Sequence, residues 1–184
     1  MRKALTVFAI ALSIAIAGAV NAQVPYVQIY FDENYSQTGV PCPTEPVGTV
    51  QSTVYVVGHN FNCWIMAAEF AIDYSTKLTW EGDFFDTDLH IGNSPTGVAI
   101  VWPLPKNAFG PALLMWAGVT WECDTCEGNE NTPVVVMPFP DSGLVRAIRY
   151  PDEFVITAVG MTSLICPTVP TNETTWGKVK ALYN

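Results

Sequence analysis

From Gln23 onward the apolar residues fall in short runs rich in Val, Ile, Tyr, Phe and Trp, divided by clusters of Gly, Pro, Asn and Asp. A helical period is nearly absent, so the pattern predicts strands. They are expected near Tyr26 to Phe31, Gly48 to Val57, Trp64 to Tyr74, Gly97 to Trp102, Ala112 to Glu122, Val134 to Met137, Leu144 to Tyr150 and Phe154 to Val159. Strands at this spacing make an all-β sandwich or barrel. In WIMAAEFAIDY the alternation puts Trp64, Met66, Ala68, Phe70, Ile72 and Tyr74 on one face and Glu69 and Asp73 on the other, as in a strand with one face on a core. In ALLMWAGVTWE, Leu113, Met115, Ala117, Val119 and Trp121 alternate with Leu114, Trp116, Thr120 and Glu122; both faces are largely apolar, which predicts a central strand. Trp64 and Trp121 are expected in the core.

Two runs close alike, AIVWPLP at Ala99 to Pro105 and VVVMPFP at Val134 to Pro140. Proline cannot donate to a ladder, so each Pro-x-Pro is expected to stop its strand or hold it at an edge. Ahead of the first strand, Met1-Arg2-Lys3, the apolar run Ala4 to Val20 and the small-x-small site Val20-Asn21-Ala22 read as a signal peptide cleaved after Ala22. The run is Ala-rich and has no basic residues after it, so no stable membrane insertion is expected after cleavage. The division is then 1–22 signal peptide, 23–166 one β domain, and 167–184 linker and C-terminal tail.

Charge narrows the partners. Without Arg2 and Lys3 the chain keeps 6 basic residues against 17 acidic ones, a net charge of −11. Such a surface repels phosphate backbones, so nucleic acid is not an expected partner; a protein or a polysaccharide is.

Five cysteines remain after cleavage: Cys42, Cys63, Cys123, Cys126 and Cys166. Export favours disulfides, at most two of them, with one thiol left over. In WECDTCEGNENTP the Cys123–Cys126 pair is ringed by Glu122, Asp124, Glu127 and Glu130, a field that disfavours the thiolate a redox pair needs. A bridge between these two would close an acidic loop, and Cys42 to Cys63 is a candidate second bridge. The zinc alternative draws His59 and Cys63 together with Cys123 and Cys126, but lacks a second pair of standard spacing.

WEGDFFDTDLH carries Glu81, Asp83, Asp86 and Asp88, carboxylates of the kind calcium takes from loops, with the three aspartates as the candidate ligands, though without EF-hand spacing; a solvated acidic loop is the simpler expectation, and no cofactor beyond this calcium ion is expected. Trp80, Trp102 and Trp116 are candidate platforms for a sugar ring, against the simpler role of filling a core. His59 and His90 are the only histidines, and no Gly-x-Ser-x-Gly, His-Glu-x-x-His or P-loop motif occurs, so no catalytic residue is assigned. In the tail, Trp176, Val179 and Tyr183 recur at i, i+3 and i+7 and predict a short amphipathic docking helix.

The segments YVQIYFDENYSQTG, VYVVGHNFNCWIMAAEFAIDY and TWGKVKALY resemble those of uncharacterised exported bacterial proteins, and the strand pattern is similar in kind to immunoglobulin-like and cohesin-like modules. The resemblance implies a single immunoglobulin-like or cohesin-like antiparallel β-sandwich of about eight or nine strands. It brings no catalytic residues with it. The expectation is an exported, non-enzymatic domain for binding or assembly at the cell surface, in the periplasm or in the medium. The alternatives are a carbohydrate-binding module and a zinc- or calcium-dependent protein.

Overall fold

The computed structural model describes residues 23–43, 48–123 and 131–167. The expected signal peptide 1–22, Cys126 and the tail residues Trp176, Val179 and Tyr183 lie outside the described residues. Among the described residues there is no helix, and the strands are β1 Tyr26–Tyr30, β2 Gly39–Val40, β3 Gly48–His59, β4 Trp64–Asp73, β5 Thr79–Phe84, β6 His90–Asn93, β7 Gly97–Asn107, β8 Ala112–Cys123, β9 Thr132–Met137, β10 Val145–Arg149, β11 Val155–Gly160 and β12 Thr162–Ile165.

The eight expected strands are all present, and four more join them: β2, β5, β6 and β12. The additions are short or carry Gly, Asn and Asp, so their own sequences favour strand only weakly. They are held by the ladders of their neighbours.

All twelve strands belong to one mixed sheet that does not close. Its hydrogen-bonded order is β2-β12-β9-β4-β10-β11-β1-β3-β8-β5, with β7 on β4 and β6 on β7. Two arms can be followed through it. One is β1-β3-β8-β5, antiparallel throughout; the other is β6-β7-β4-β10-β11, also antiparallel. They meet where β1 runs parallel to β11, Tyr26 opposite Val159 and Val27 opposite Gly160. A second parallel pair joins β12 to β2, so the sheet departs from the all-antiparallel expectation at two places. Gly160 at the junction is required: a Cβ there would lie 2.0 Å from the Val136 carbonyl oxygen.

Both arms send their inward side chains into one apolar cluster. Ile29, Val54, Val56, Met115 and Val119 come from the first; Ile65, Phe70, Ile100 and Ala147 come from the second. Burying a side chain of this size contributes about 1.5–3 kcal/mol.

Two bulges decide which residues enter the core. Along β4 the partner on β10 moves only from Arg149 to Ile148 while β4 advances from Ile65 to Ala67, leaving Met66 as the extra residue. The alternation therefore changes phase: Ile65, Ala68, Phe70 and Ile72 are buried, whereas Trp64 is 44% exposed. The expected core place of Trp64 is thus corrected, because one inserted residue sends the preceding side chains to the opposite face. In β8 the partner steps from Val56 to Val57 while β8 moves from Met115 to Leu113, so Leu114 bulges inward and is buried. Trp121 is in the core as expected.

The first Pro-x-Pro does not end its strand. β7 continues through Pro103 and Pro105 to Asn107, because Val101 pairs with Ala67 and Lys106 with Ile65, so the prolines sit in the bulged stretch between. The second run behaves as expected, β9 ending at Met137.

Cys42 is bonded to Cys166, not to Cys63, which is the one free thiol among the described residues. The bridge joins the segments following the parallel strands β2 and β12, where Cys166 N also donates to the Val40 carbonyl. With a sequence separation of 124 between its ends, chain entropy alone gives it on the order of 5 kcal/mol. Cys123 is also disulfide-bonded.

Candidate functional site

Register on the β1-β3-β8-β5 arm builds the most distinctive surface of the molecule. Tyr30 stands opposite Tyr55, Tyr55 opposite Trp116, and Trp116 opposite Phe84. Directly opposed residues share a face, and the neighbours that alternate with them, Ile29, Val54, Val56, Met115 and Ala117, are core. The four aromatic rings therefore form one row on the outer face. With strands about 4.8 Å apart, the row is about 14 Å long. Exposure rises along it, from a nearly buried Tyr30, through half-buried Tyr55 and Trp116, to Phe84 at 52%. The Phe84 and Trp116 rings are almost parallel, 10° apart, with centroids at 6.2 Å.

The buried end is packed by further aromatic side chains. Tyr35 leans on Tyr30 and on Tyr55, at 5.9 and 6.4 Å between centroids. His59 stacks on Tyr26 at 4.7 Å and pairs through Nε2 with the Tyr30 hydroxyl at 3.0 Å. Burial holds the His59 imidazole below its ordinary pKa and keeps it neutral. Burial also raises the Tyr30 phenol, helped by Tyr26 and Asp32, and raises the Tyr55 phenol, which donates to Glu33 Oε1 at 3.3 Å. The phenols are hydrogen-bonding groups here, not bases.

Two residues further along the same strands the face turns polar. Thr53 stands opposite Gly118 and Gly118 opposite Gly82; beyond them Gln51 stands opposite Thr120 and Thr120 opposite Thr79. A hollow of about 280 Å³ lies there, lined by Gln51, Ser52, Thr53, Glu81, Gly118, Val119 and Thr120. The Thr120 hydroxyl donates to Glu81 Oε1 at 2.7 Å.

Of the three candidate platform tryptophans, only Trp116 lies in this row. Trp102 is 5% exposed, its Nε1 donates to Asp86 Oδ1 at 2.8 Å, and the Lys106 ammonium sits 4.9 Å from its ring centre; it is a core residue. Trp80 is half-buried and donates to Asp83 Oδ1 at 2.9 Å, which leaves its indole pinned at the edge of a separate open groove with Leu78, Pro95 and Met137.

The three aspartates do not converge. Asp83 accepts from Trp80 and from both the backbone N–H and the hydroxyl of Ser94, whose hydroxyl also meets buried Tyr74 at 2.6 Å. Asp86 accepts from Trp102 and Lys106; burial works against its charge, but these two hydrogen bonds outweigh it and hold the carboxyl below the usual range. Asp88 is exposed. The expected acidic loop is thus β5, a turn and β6, with two of its carboxylates spent on cross-braces to the rest of the domain.

The zinc set is dispersed as well. Cys123 stands opposite Gly48 at one end of β3 and His59 ends the same strand, eleven residues away, about 36 Å at strand rise. Among the described residues no group of three or more His, Cys, Asp and Glu side chains could hold a metal ion.

Tyr30, Tyr55 and Phe84 are not singled out by sequence, and Glu81 enters there only as one of the carboxylates of the acidic WEGDFFDTDLH segment. Each lies on a different strand or a different turn of the register, so no local spacing connects them. The only sequence sign was the density of Tyr, Trp and Phe in predicted strands. No protein-family model and no curated protein matches this chain.

Proposed function

We propose that the protein is an exported, non-enzymatic binding domain that takes a polysaccharide chain on its aromatic row. The observation that carries the reading is the in-register alignment of Tyr30, Tyr55, Trp116 and Phe84 on an outward sheet face. A flat pyranose presents an apolar C–H face and polar edges, and an aromatic ring offers an apolar face at little cost in side-chain entropy. The open part of the row, from Tyr55 to Phe84, spans two strand spacings, about 10 Å, room for two sugar units at about 5 Å each.

Export is supported by the leader pattern of Met1 to Ala22 and by a disulfide tying Cys42 to Cys166. The two arms, with one core drawn from both, are read as the facing layers of a sandwich of the immunoglobulin-like or cohesin-like kind. The test is electrophoresis of the full chain through gels containing dissolved neutral polysaccharide. The native protein is expected to be retarded, and Trp116→Ala to migrate as in a plain gel. A native protein that no neutral polysaccharide retards would end the proposal.

A further inference from the structure

We infer that the hollow beside the aromatic row is a hydroxyl-reading subsite that restricts the ligand to neutral polysaccharides and turns acidic ones away. The inference rests on the polysaccharide reading of the row.

Three features build the subsite. Glu81 is an extra residue in β5: Trp80 pairs with Val119 and Gly82 with Gly118, so two steps on β5 match one on β8. A bulge on an edge strand re-aims a side chain, and here it brings the Glu81 carboxylate onto Thr120. Gly118 keeps the floor low, since a Cβ there would come within 3.3 Å of the Glu81 Cβ. Finally, the side chains of Gln51 and Thr53, which share the outer face with Thr120 and Gly118, make no hydrogen bond to any described residue, although both residues line the hollow. They are donors and acceptors without partners among the described residues, next to a carboxylate that can only accept.

Position supplies the link to the row. Thr53, two residues before Tyr55, and Gly118, two residues after Trp116, are opposed on the antiparallel strands, about 7 Å from the row along the strand direction. A sugar ring stacked on Trp116 therefore has its edge hydroxyls over the hollow. No Lys or Arg lines it, so a uronate or sulfate would face the Glu81 carboxylate with no cation to offset the repulsion.

The experiment uses the full chain in gels of hydroxyethylcellulose and galactomannan as neutral probes, and carboxymethylcellulose and polygalacturonate as acidic ones. The native protein is expected to be retarded by at least one neutral polymer and about tenfold less by either acidic polymer. Glu81→Gln, whose amide oxygen can still accept from Thr120, is expected to shrink that difference to about threefold or less. Gly118→Ala is expected to weaken neutral binding about fivefold or more without relaxing the discrimination, with circular dichroism confirming the fold. Native preference for the acidic polymers overturns the inference, as does discrimination unchanged in Glu81→Gln. If those results come with Trp116→Ala still abolishing retardation, the row remains the binding surface and only the subsite fails. If Trp116→Ala binds like the native protein, the row itself is wrong and the subsite falls with it.

Discussion

On the outer face of the β1-β3-β8-β5 arm the register sets Tyr30, Tyr55, Trp116 and Phe84 side by side, whereas on the outer face of the β6-β7-β4-β10-β11 arm it sets Leu89, Val101, Ala67, Ile148 and Val155 side by side. Both rows run across the strands and both leave apolar side chains in water: Phe84 at 52%, against Leu89 at 52% and Val101 at 42%. Exposed apolar area therefore does not separate them. Their polar neighbours do. Next to the aliphatic row, Glu69 and Arg146 stand directly opposite one another and satisfy each other at 2.7 Å. Next to the aromatic row, the side chains of Gln51 and Thr53 have no hydrogen-bond partner among the described residues around a glycine floor. A surface whose polar groups are already paired offers a ligand little direction; one with unpaired groups beside flat rings can select.

The comparison breaks most severely at what the two arms share. Met115→Ala on the aromatic arm and Phe70→Ala on the aliphatic arm each empty a fully buried position in the common cluster and should each cost about 3–5 kcal/mol in denaturant unfolding. Because the core is one, both should keep a single cooperative transition seen alike by tryptophan fluorescence and far-ultraviolet circular dichroism; two separate transitions would show that the arms are independent.

Next in size is the contrast between the rows themselves. Trp116→Ala should weaken polysaccharide binding by about 2 kcal/mol, roughly 30-fold in affinity electrophoresis or calorimetry. Val101→Ser, an equally outward residue of the aliphatic row, should leave binding unchanged.

A smaller effect belongs to pH, and it should also be confined to the aromatic arm. Burial holds His59 below its ordinary pKa of 6.5. The unfolded chain therefore takes up the proton first, and stability should be full above about 6.5 and fall as pH drops from there toward the lower folded-state value. In a His59→Gln variant this part of the pH dependence should vanish, as read from denaturation midpoints between pH 7 and 5.

The smallest effect is expected at the aliphatic face's own ion pair. Glu69→Gln removes a pair that is partly open to solvent, with 30% and 21% of the two side chains exposed, so the loss should stay within about 1 kcal/mol and disappear in 1 M salt. A loss of several kcal/mol would mean that the second face has a polar centre of its own.

The amino-acid order determined a good deal by itself. The β-rich runs divided by Gly, Pro and Asn are local facts, and they placed eight strands because strand propensity and a two-residue period are written within each segment. The central character of Ala112–Cys123 was equally local, since both of its faces are apolar over the whole strand. The identity of the aromatic row was not local: Tyr30, Tyr55, Trp116 and Phe84 become neighbours only through three ladders, and a shift of one residue in any of them would turn a ring to the other face. The bulges at Met66, Leu114 and Glu81 are of the same kind. They exchanged Trp64 for Ile65 in the core, carried Leu114 inward and set Glu81 over Gly118, and nothing in a single strand's pattern specifies where an extra residue will be accommodated. Cysteine count likewise determined that one of five thiols must lack a partner within the chain. Only the fold, by bringing the segments after β2 and β12 together in parallel, decided that Cys42 meets Cys166 and that Cys63 stays free.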